Sequence, residues 1–170
     1  MNTDKTVEEK FMEAYESYND AIFRYCLIQT SNREKALDLT QDTFTKTWEY
    51  LAAGKQVDQI RAFLYKVATN LIIDDRRKKK AFSLDALTEE GFDITDTHED
   101  VGEKVSAAFD GARAREALLL LEPKYRDVLT MRYVDDLSIE EIATATESTS
   151  NAVSVRIHRA LEKLRSLVHE

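Results

Sequence analysis

The stretch SIEEIATATESTSNAVSVRIHRALEKL, residues 138–164, decides the fold of this chain. Ser138 stands three residues before Glu141, the spacing of a capping box, in which hydroxyl and carboxylate each satisfy a free backbone N–H at a helix start. Ile139, Ile142 and Ala143 then share one helical face. The run Glu147-Ser148-Thr149-Ser150-Asn151 breaks the pattern with side chains that favour caps and turns. Val153, Ile157, Ala160, Leu161, Leu164 and Val168 resume it at helical spacing, and the opposite face shows Ser154, Val155, His158, Arg159 and Lys163. A short capped helix, a tight turn and a second helix with a polar, basic outer face predict a helix-turn-helix, a shape that suits a major groove.

Upstream of this unit, Ala117, Leu118 and Leu121 make an apolar helix. Glu122-Pro123 restarts the chain with proline at a first helical position, where its missing N–H costs little. Tyr125, Val128, Leu129 and Arg132 carry that helix to Asp135-Asp136. The predicted second module is therefore a four-helix unit, residues 113–170. Residues 81–112 lack sustained periodicity and hold one base, Lys104, against nine acids; that is the whole of the net charge of −8. They predict an acidic, flexible linker with at most a short helical turn.

The first module, residues 1–80, reads as three helices. Phe11, Ala14, Tyr15, Tyr18, Ile22, Tyr25 and Cys26 recur at three and four residues. Ser31 and Asn32 can cap a second helix with an inner face of Leu37, Thr40, Phe44, Trp48 and Leu51. A loop with Gly54 follows. The third helix carries Ile60, Phe63, Leu64, Val67, Ala68, Leu71 and Ile72, and ends in the basic run Arg76 to Lys80. The fold class is all-α, two small helical domains joined by the linker, with no strand pattern and no repeat.

Bulk properties exclude several classes. One proline and four glycines leave few helix breakers. A single cysteine, Cys26, rules out an internal disulfide, fits a reducing, cytoplasmic setting, and falls on an apolar face as a buried structural thiol. No apolar run is long enough to span a membrane, and no secretory leader is evident. The acidity does not exclude nucleic acid, because outside the linker the two modules are nearly neutral and local basic faces decide contact. No Gly-rich phosphate loop, metal-ligand cluster or nucleophile–base arrangement stands out, so neither an enzyme with a small-molecule substrate nor a metal or cofactor is expected. His158 has no Cys or His near it in sequence, and His98 and His169 are isolated.

Four motifs in order carry a family resemblance over nearly the whole chain. They are Asp38-Leu39-Thr40-Gln41-Asp42-Thr43-Phe44 with Trp48; Arg61 to Leu71 with Asp74 and Arg76-Arg77; Leu121-Glu122-Pro123-Lys124-Tyr125-Arg126-Asp127-Val128 leading to Arg132-Tyr133; and Leu137 to Ala143 with Val153-x-x-Arg156-Ile157-His158-Arg159-Ala160. Together they resemble the extracytoplasmic-function (ECF) group of bacterial RNA polymerase sigma factors. The resemblance implies that Asp38, Gln41, Asp42 and Thr45 dock on core polymerase. It implies that Lys55 and Gln56 in the loop, with Arg61, Tyr65, Lys66 and Asn70 on the third helix, hold bases flipped from the minus-ten promoter box. Arg76 and Arg77 would meet phosphates, contacts that position without reading sequence. Ser154, Val155, His158 and Arg159 would read the minus-thirty-five box, with Arg156 and Lys163 on phosphates and Thr149 capping the reading helix. Phe63, where the family often has Trp, is expected in the core. Three departures stand in the reading unit: the family often has Gly at Glu147, an aliphatic residue at Ser148, and Arg or Lys at Ser154. An anti-sigma factor is the further partner implied.

Two other readings compete. A sigma-like adaptor would only sequester an anti-sigma protein, but would not need the basic positions kept here. A stand-alone helix-turn-helix repressor would not need the polymerase-binding stripe.

Overall fold

The structure, a computed structural model, describes residues 5–86 and 112–168. The stretch read as a linker falls mostly outside the described residues, as do His98 and His169. Everything described is helix, turn or loop. The first module holds α1 (Val7–Thr30), α2 (Arg33–Ala52) and α3 (Ile60–Ala86); the second holds α4 (Ala112–Leu120), α5 (Pro123–Leu129), α6 (Ile139–Ala145) and α7 (Ser150–Val168).

Local chemistry sets the ends. Thr6 and Glu9 form a capping box that opens α1, and Ser31 closes it in the left-handed region at φ 52°. Asn32 caps α2, accepting from the Lys35 N–H at 3.0 Å. Gly54, at φ 85°, makes the turn that a side chain would resist. Ile22, Tyr25, Cys26, Leu39, Phe44, Leu64, Tyr65, Ala68 and Ile72 form the core between these three helices. Burial pushes the Cys26 thiol up to about 12, so it is an inert core group. The Tyr25 hydroxyl meets Thr69 Oγ1 at 2.8 Å, and Lys35 meets Asp75 at 2.9 Å, tying α3 to α1 and to α2.

Two features of the first module differ from expectation. Leu37, assigned to the inner face of α2, is exposed, whereas Leu39, Thr43 and Thr47 are buried. The helix is rotated because its buried threonines need no outside partner: Thr40, Thr43 and Thr47 each donate to the carbonyl four residues back, at 2.7, 2.7 and 2.8 Å. Second, α3 runs through the basic run and six residues into the stretch read as linker.

In the second module, α7 packs on α4, α5 and α6. After α5 the chain widens into one π turn, Thr130–Val134, where the Asp135 N–H reaches the Thr130 carbonyl at 3.1 Å. The Ser138 capping box forms as read. Glu147 makes the turn between α6 and α7 at φ 54°, and the Ser148 N–H reaches back to the Ala143 carbonyl at 2.9 Å. The modules pack on each other, α3 against α6, and α1 against α5 and the π turn.

Candidate polymerase and nucleic-acid surfaces

The α2 stripe is presented as a continuous surface. Asp38, Gln41, Asp42 and Thr45 are all exposed. Gln41 and Thr45 also border an open groove of about 830 Å³ between α1 and α2, whose apolar walls include Phe11, Met12, Tyr15, Leu37, Phe44 and Trp48. Met12, Tyr15 and Leu37 are each more than two-fifths exposed there. Edge-to-face rings hold the groove floor: Phe11 with Trp48 at 5.3 Å and Tyr15 with Phe44 at 5.0 Å. An apolar cleft edged by amides and carboxylates suits another protein's amphipathic helix.

The residues assigned to the minus-ten box divide into two groups. Lys55, Gln56, Asn70 and Arg77 are exposed, with the Lys55 ammonium 5.0 Å from the Tyr50 ring centre. Arg61, Tyr65, Lys66 and Arg76 instead meet the second module. The Arg61 guanidinium holds the Glu141 carboxylate with two bonds, at 2.6 and 2.5 Å. Lys66 lies 3.4 Å from Glu147, and Arg76 lies 4.0 Å from Asp127. Tyr65 is fully buried and packs edge-on against Tyr25 at 5.1 Å. Its ring has no free face for a base in this arrangement, so here it is a core residue. Burial, then the nearby Asp135 carboxylate, raise its phenol far above the usual value. Phe63, expected in the core, is only half-buried, against Tyr50 at 4.8 Å.

The reading helix is formed as the spacing required. Thr149 caps it, accepting from the Ala152 N–H at 3.1 Å. Val153, Ile157, Ala160 and Leu164 are buried, while Ser154, Val155, His158 and Arg159 stand exposed on the other side. Arg156 is half-buried. His158 pairs with Glu162 at 3.2 Å, and Lys163 lies over the Tyr125 ring at 5.2 Å.

Sequence reasoning missed the junction between the modules. Arg24 pairs with Asp135 at 3.0 Å. Gln29 is its polar hub: its amide oxygen accepts from Arg126 at 2.9 Å and Arg76 at 3.2 Å, and its amide nitrogen lies 3.5 Å from the Thr130 hydroxyl. Burial pushes the Asp127 carboxyl up to about 6, against the pull of Arg76, Arg126 and Arg156. The Arg61 bond and the Ser138 cap hold Glu141 below the usual carboxylate range. These partners lie 80 to 111 residues apart for Arg61–Glu141 and Arg24–Asp135, where no local pattern reaches. The capping-box spacing and the Leu137 to Ala143 motif singled out Glu141, but neither pointed to Arg61.

Among the described residues no helix is long and apolar enough to cross a membrane. The sigma-70 region 2 family model matches residues 14–82, and that of sigma-70 region 4 matches residues 112–164. The chain is 30% identical to the RNA polymerase sigma factor YlaC of Bacillus subtilis over 154 residues, covering 90% of this chain and 88% of that one. It is 29% identical to the ECF sigma factor SigW of the same organism, covering 96% and 91%. Its fold is that of the sigma factor RpoE of Bartonella quintana, solved with the anti-sigma factor NepR, at TM-score 0.73, 20% identity and coverage of 94% and 97%. CnrH, solved with the cytosolic domain of CnrY, gives TM-score 0.67 at 21% identity, covering 94% and 87%. With both sigma-70 regions present in order and relatives matched from end to end, the chain belongs to the ECF group of RNA polymerase sigma factors.

Proposed function

We propose that this sigma factor binds core RNA polymerase through α2, reads the minus-thirty-five box with α7, and holds melted minus-ten DNA on α3. It initiates transcription in the cytoplasm without a catalytic centre of its own; binding energy for the displaced strand drives opening. Residues 1–80 act as the polymerase-binding and melting domain, 81–112 as the linker and 113–170 as the promoter-reading domain.

The observation that carries this reading is the α2 stripe beside the α1–α2 groove. Asp38, Gln41, Asp42 and Thr45 are exposed, and Gln41 and Thr45 border a groove whose apolar side chains Met12, Tyr15 and Leu37 are open to solvent. A repressor that works on duplex DNA alone has no use for that surface, whereas a polymerase clamp helix would fill it. Asp38 and Asp42 give the rim its charge, Gln41 its hydrogen bonds, and Leu37 and Trp48 its buried area. The minus-ten assignments rest on the exposed Lys55, Gln56, Asn70 and Arg77, and on Arg61, Lys66 and Arg76, whose ion-pair partners lie in the second module. The minus-thirty-five assignments rest on the exposed face of α7 and on Thr149, Arg156 and Lys163 at its edges. An anti-sigma factor, the partner of RpoE in its solved complex with NepR, is the expected regulator. A pure adaptor for such a protein would not need the basic and polar outer face of α7.

The purified chain, mixed with core polymerase and a promoter library, should give transcripts and permanganate-reactive thymines near the start site. Polymerase binding without melting would favour the adaptor, and duplex binding without polymerase the repressor. Asp38→Ala with Gln41→Ala should weaken polymerase binding about tenfold or more, roughly 1.4 kcal/mol. Unchanged affinity would remove α2 from the docking surface.

A further inference from the structure

Two aromatic rings stand at the surface, one at each end of the loop that carries Lys55 and Gln56. Tyr50 lies in the last turn of α2 and Phe63 in the first turn of α3. Their ring centres are 4.8 Å apart, with the planes tilted by 40°. The Lys55 ammonium lies 5.0 Å from the Tyr50 ring centre. Both rings are half-buried, while Lys55 and Gln56 are exposed. Neither ring is part of the core, which Tyr25, Phe44, Tyr65 and their neighbours fill. Phe63 also starts a line along α3. Asn70 and Arg77 follow it at seven-residue intervals, about two turns each, so the three share one helical face. The rings therefore stand at the loop end of a face that continues with an exposed amide and an exposed guanidinium. Aromatic faces set among cations suit an unpaired nucleotide: every base has a π-face for the ring, and the cations meet its backbone. A base inside a duplex is already stacked and has no face to offer.

We propose that Tyr50 and Phe63 form a stacking platform for one unpaired base of the melted strand, with Lys55 turning from the Tyr50 ring to that nucleotide's phosphate. This rests on the proposed melting role of α3, and adds to it a residue of α2, Tyr50, that no motif in the chain pointed to. Lys55 is long and exposed, so it exchanges its aromatic contact for a phosphate without any change in the backbone. The platform also accounts for the position of Phe63 at the surface, where a residue serving the core alone would be covered.

The test uses the full chain assembled with core polymerase, on a promoter recovered from the library described above and left unpaired through its minus-ten box. Single abasic sites are placed in turn along the unpaired nontemplate strand. Complex lifetimes are compared for wild type, Tyr50→Leu, Phe63→Leu and Tyr50→Phe. Leucine keeps apolar bulk between the loop ends and removes the π-face, whereas phenylalanine keeps the face. On the intact strand Tyr50→Leu and Phe63→Leu should each shorten the lifetime about tenfold, within the range that one base stacked on a ring supplies. Wild type should lose about as much at one abasic position. Tyr50→Leu should lose nothing further at that position, and Tyr50→Phe should behave as wild type. An unchanged lifetime for Tyr50→Leu on the intact strand overturns the proposal. So does a shortened lifetime with every abasic penalty kept, which would make the rings a brace for the loop. If wild type with core polymerase recovers no promoter from the library, the sigma-factor reading fails first and the platform falls with it, a result distinct from the other two.

Discussion

Asp127 is a buried carboxyl whose ionisation the fold disfavours. Tyr25 of α1, Arg76 of α3 and Arg156 of α7 face it, with Arg126 beside it on its own helix. One of its oxygens is buried without a hydrogen-bond partner. Desolvation outweighs the three cations and pushes the carboxyl up to about 6. Below the unfolded-state value, near pH 4, both states hold the proton. As pH rises toward 6 the unfolded chain releases it first, so the native state loses stability through that window, by about 2–3 kcal/mol for a shift of this size. Asp127→Asn should remove this loss. Its stability difference from wild type in urea titrations should shift in the variant's favour between pH 4 and pH 7, and a constant difference would show that the carboxyl is not perturbed. Sequence placed Asp127 inside a family motif but gave no sign of its burial. Tyr65 teaches the same lesson: its type and spacing fit a base-stacking residue or a core residue equally well, and only packing chose.

At the scale of elements, the pattern was most legible where one helix face meets one core. The amphipathic spacing of α7, the Ser138 capping box and the Pro123 restart are all legible in the sequence, because each is set by neighbours within four residues. The phase of α2 was not legible, since threonines that bond their own helix carbonyls pack as if apolar while their composition reads polar. The far end of α3 was missed because charge, not periodicity, dominates residues 76–80. The α6–α7 turn shows an element held at a cost. Glu147 adopts a left-handed conformation, φ 54°, that suits glycine and costs other residues about 1–2 kcal/mol. Its ion pair with Lys66, at 3.4 Å and largely exposed, returns about 1 kcal/mol or less. Glu147→Gly should therefore hold or raise stability, by up to about 1 kcal/mol, or roughly 2–4 °C in melting temperature for a chain of this size. A loss of more than about 1 kcal/mol would mean that the Lys66 contact, or a bond of the Glu147 side chain inside the turn, outweighs the backbone strain.

At the scale of the whole molecule, two modules could be read from one sequence, but their closure on each other could not. Each bundle follows from local periodicity, whereas the junction is a set of partners brought together from α1, α3, α5, the π turn and α6. Its chemistry predicts how it yields. Arg61–Glu141 and Arg24–Asp135 are partly shielded, while Lys66–Glu147 is open to solvent. Ionic screening shortens from about 10 Å at 0.1 M salt to about 3 Å at 1 M. The junction also has an apolar component in Tyr65 and the flanking core, which salt does not weaken. The closed population should thus fall by degrees between 0.1 and 0.6 M sodium chloride, seen as a growing radius of gyration with unchanged helix content by circular dichroism. Glu141→Gln with Asp135→Asn should flatten that response, because the pairs most sensitive to screening are gone. A wild-type radius that does not move over this range would mean that packing rather than charge holds the modules.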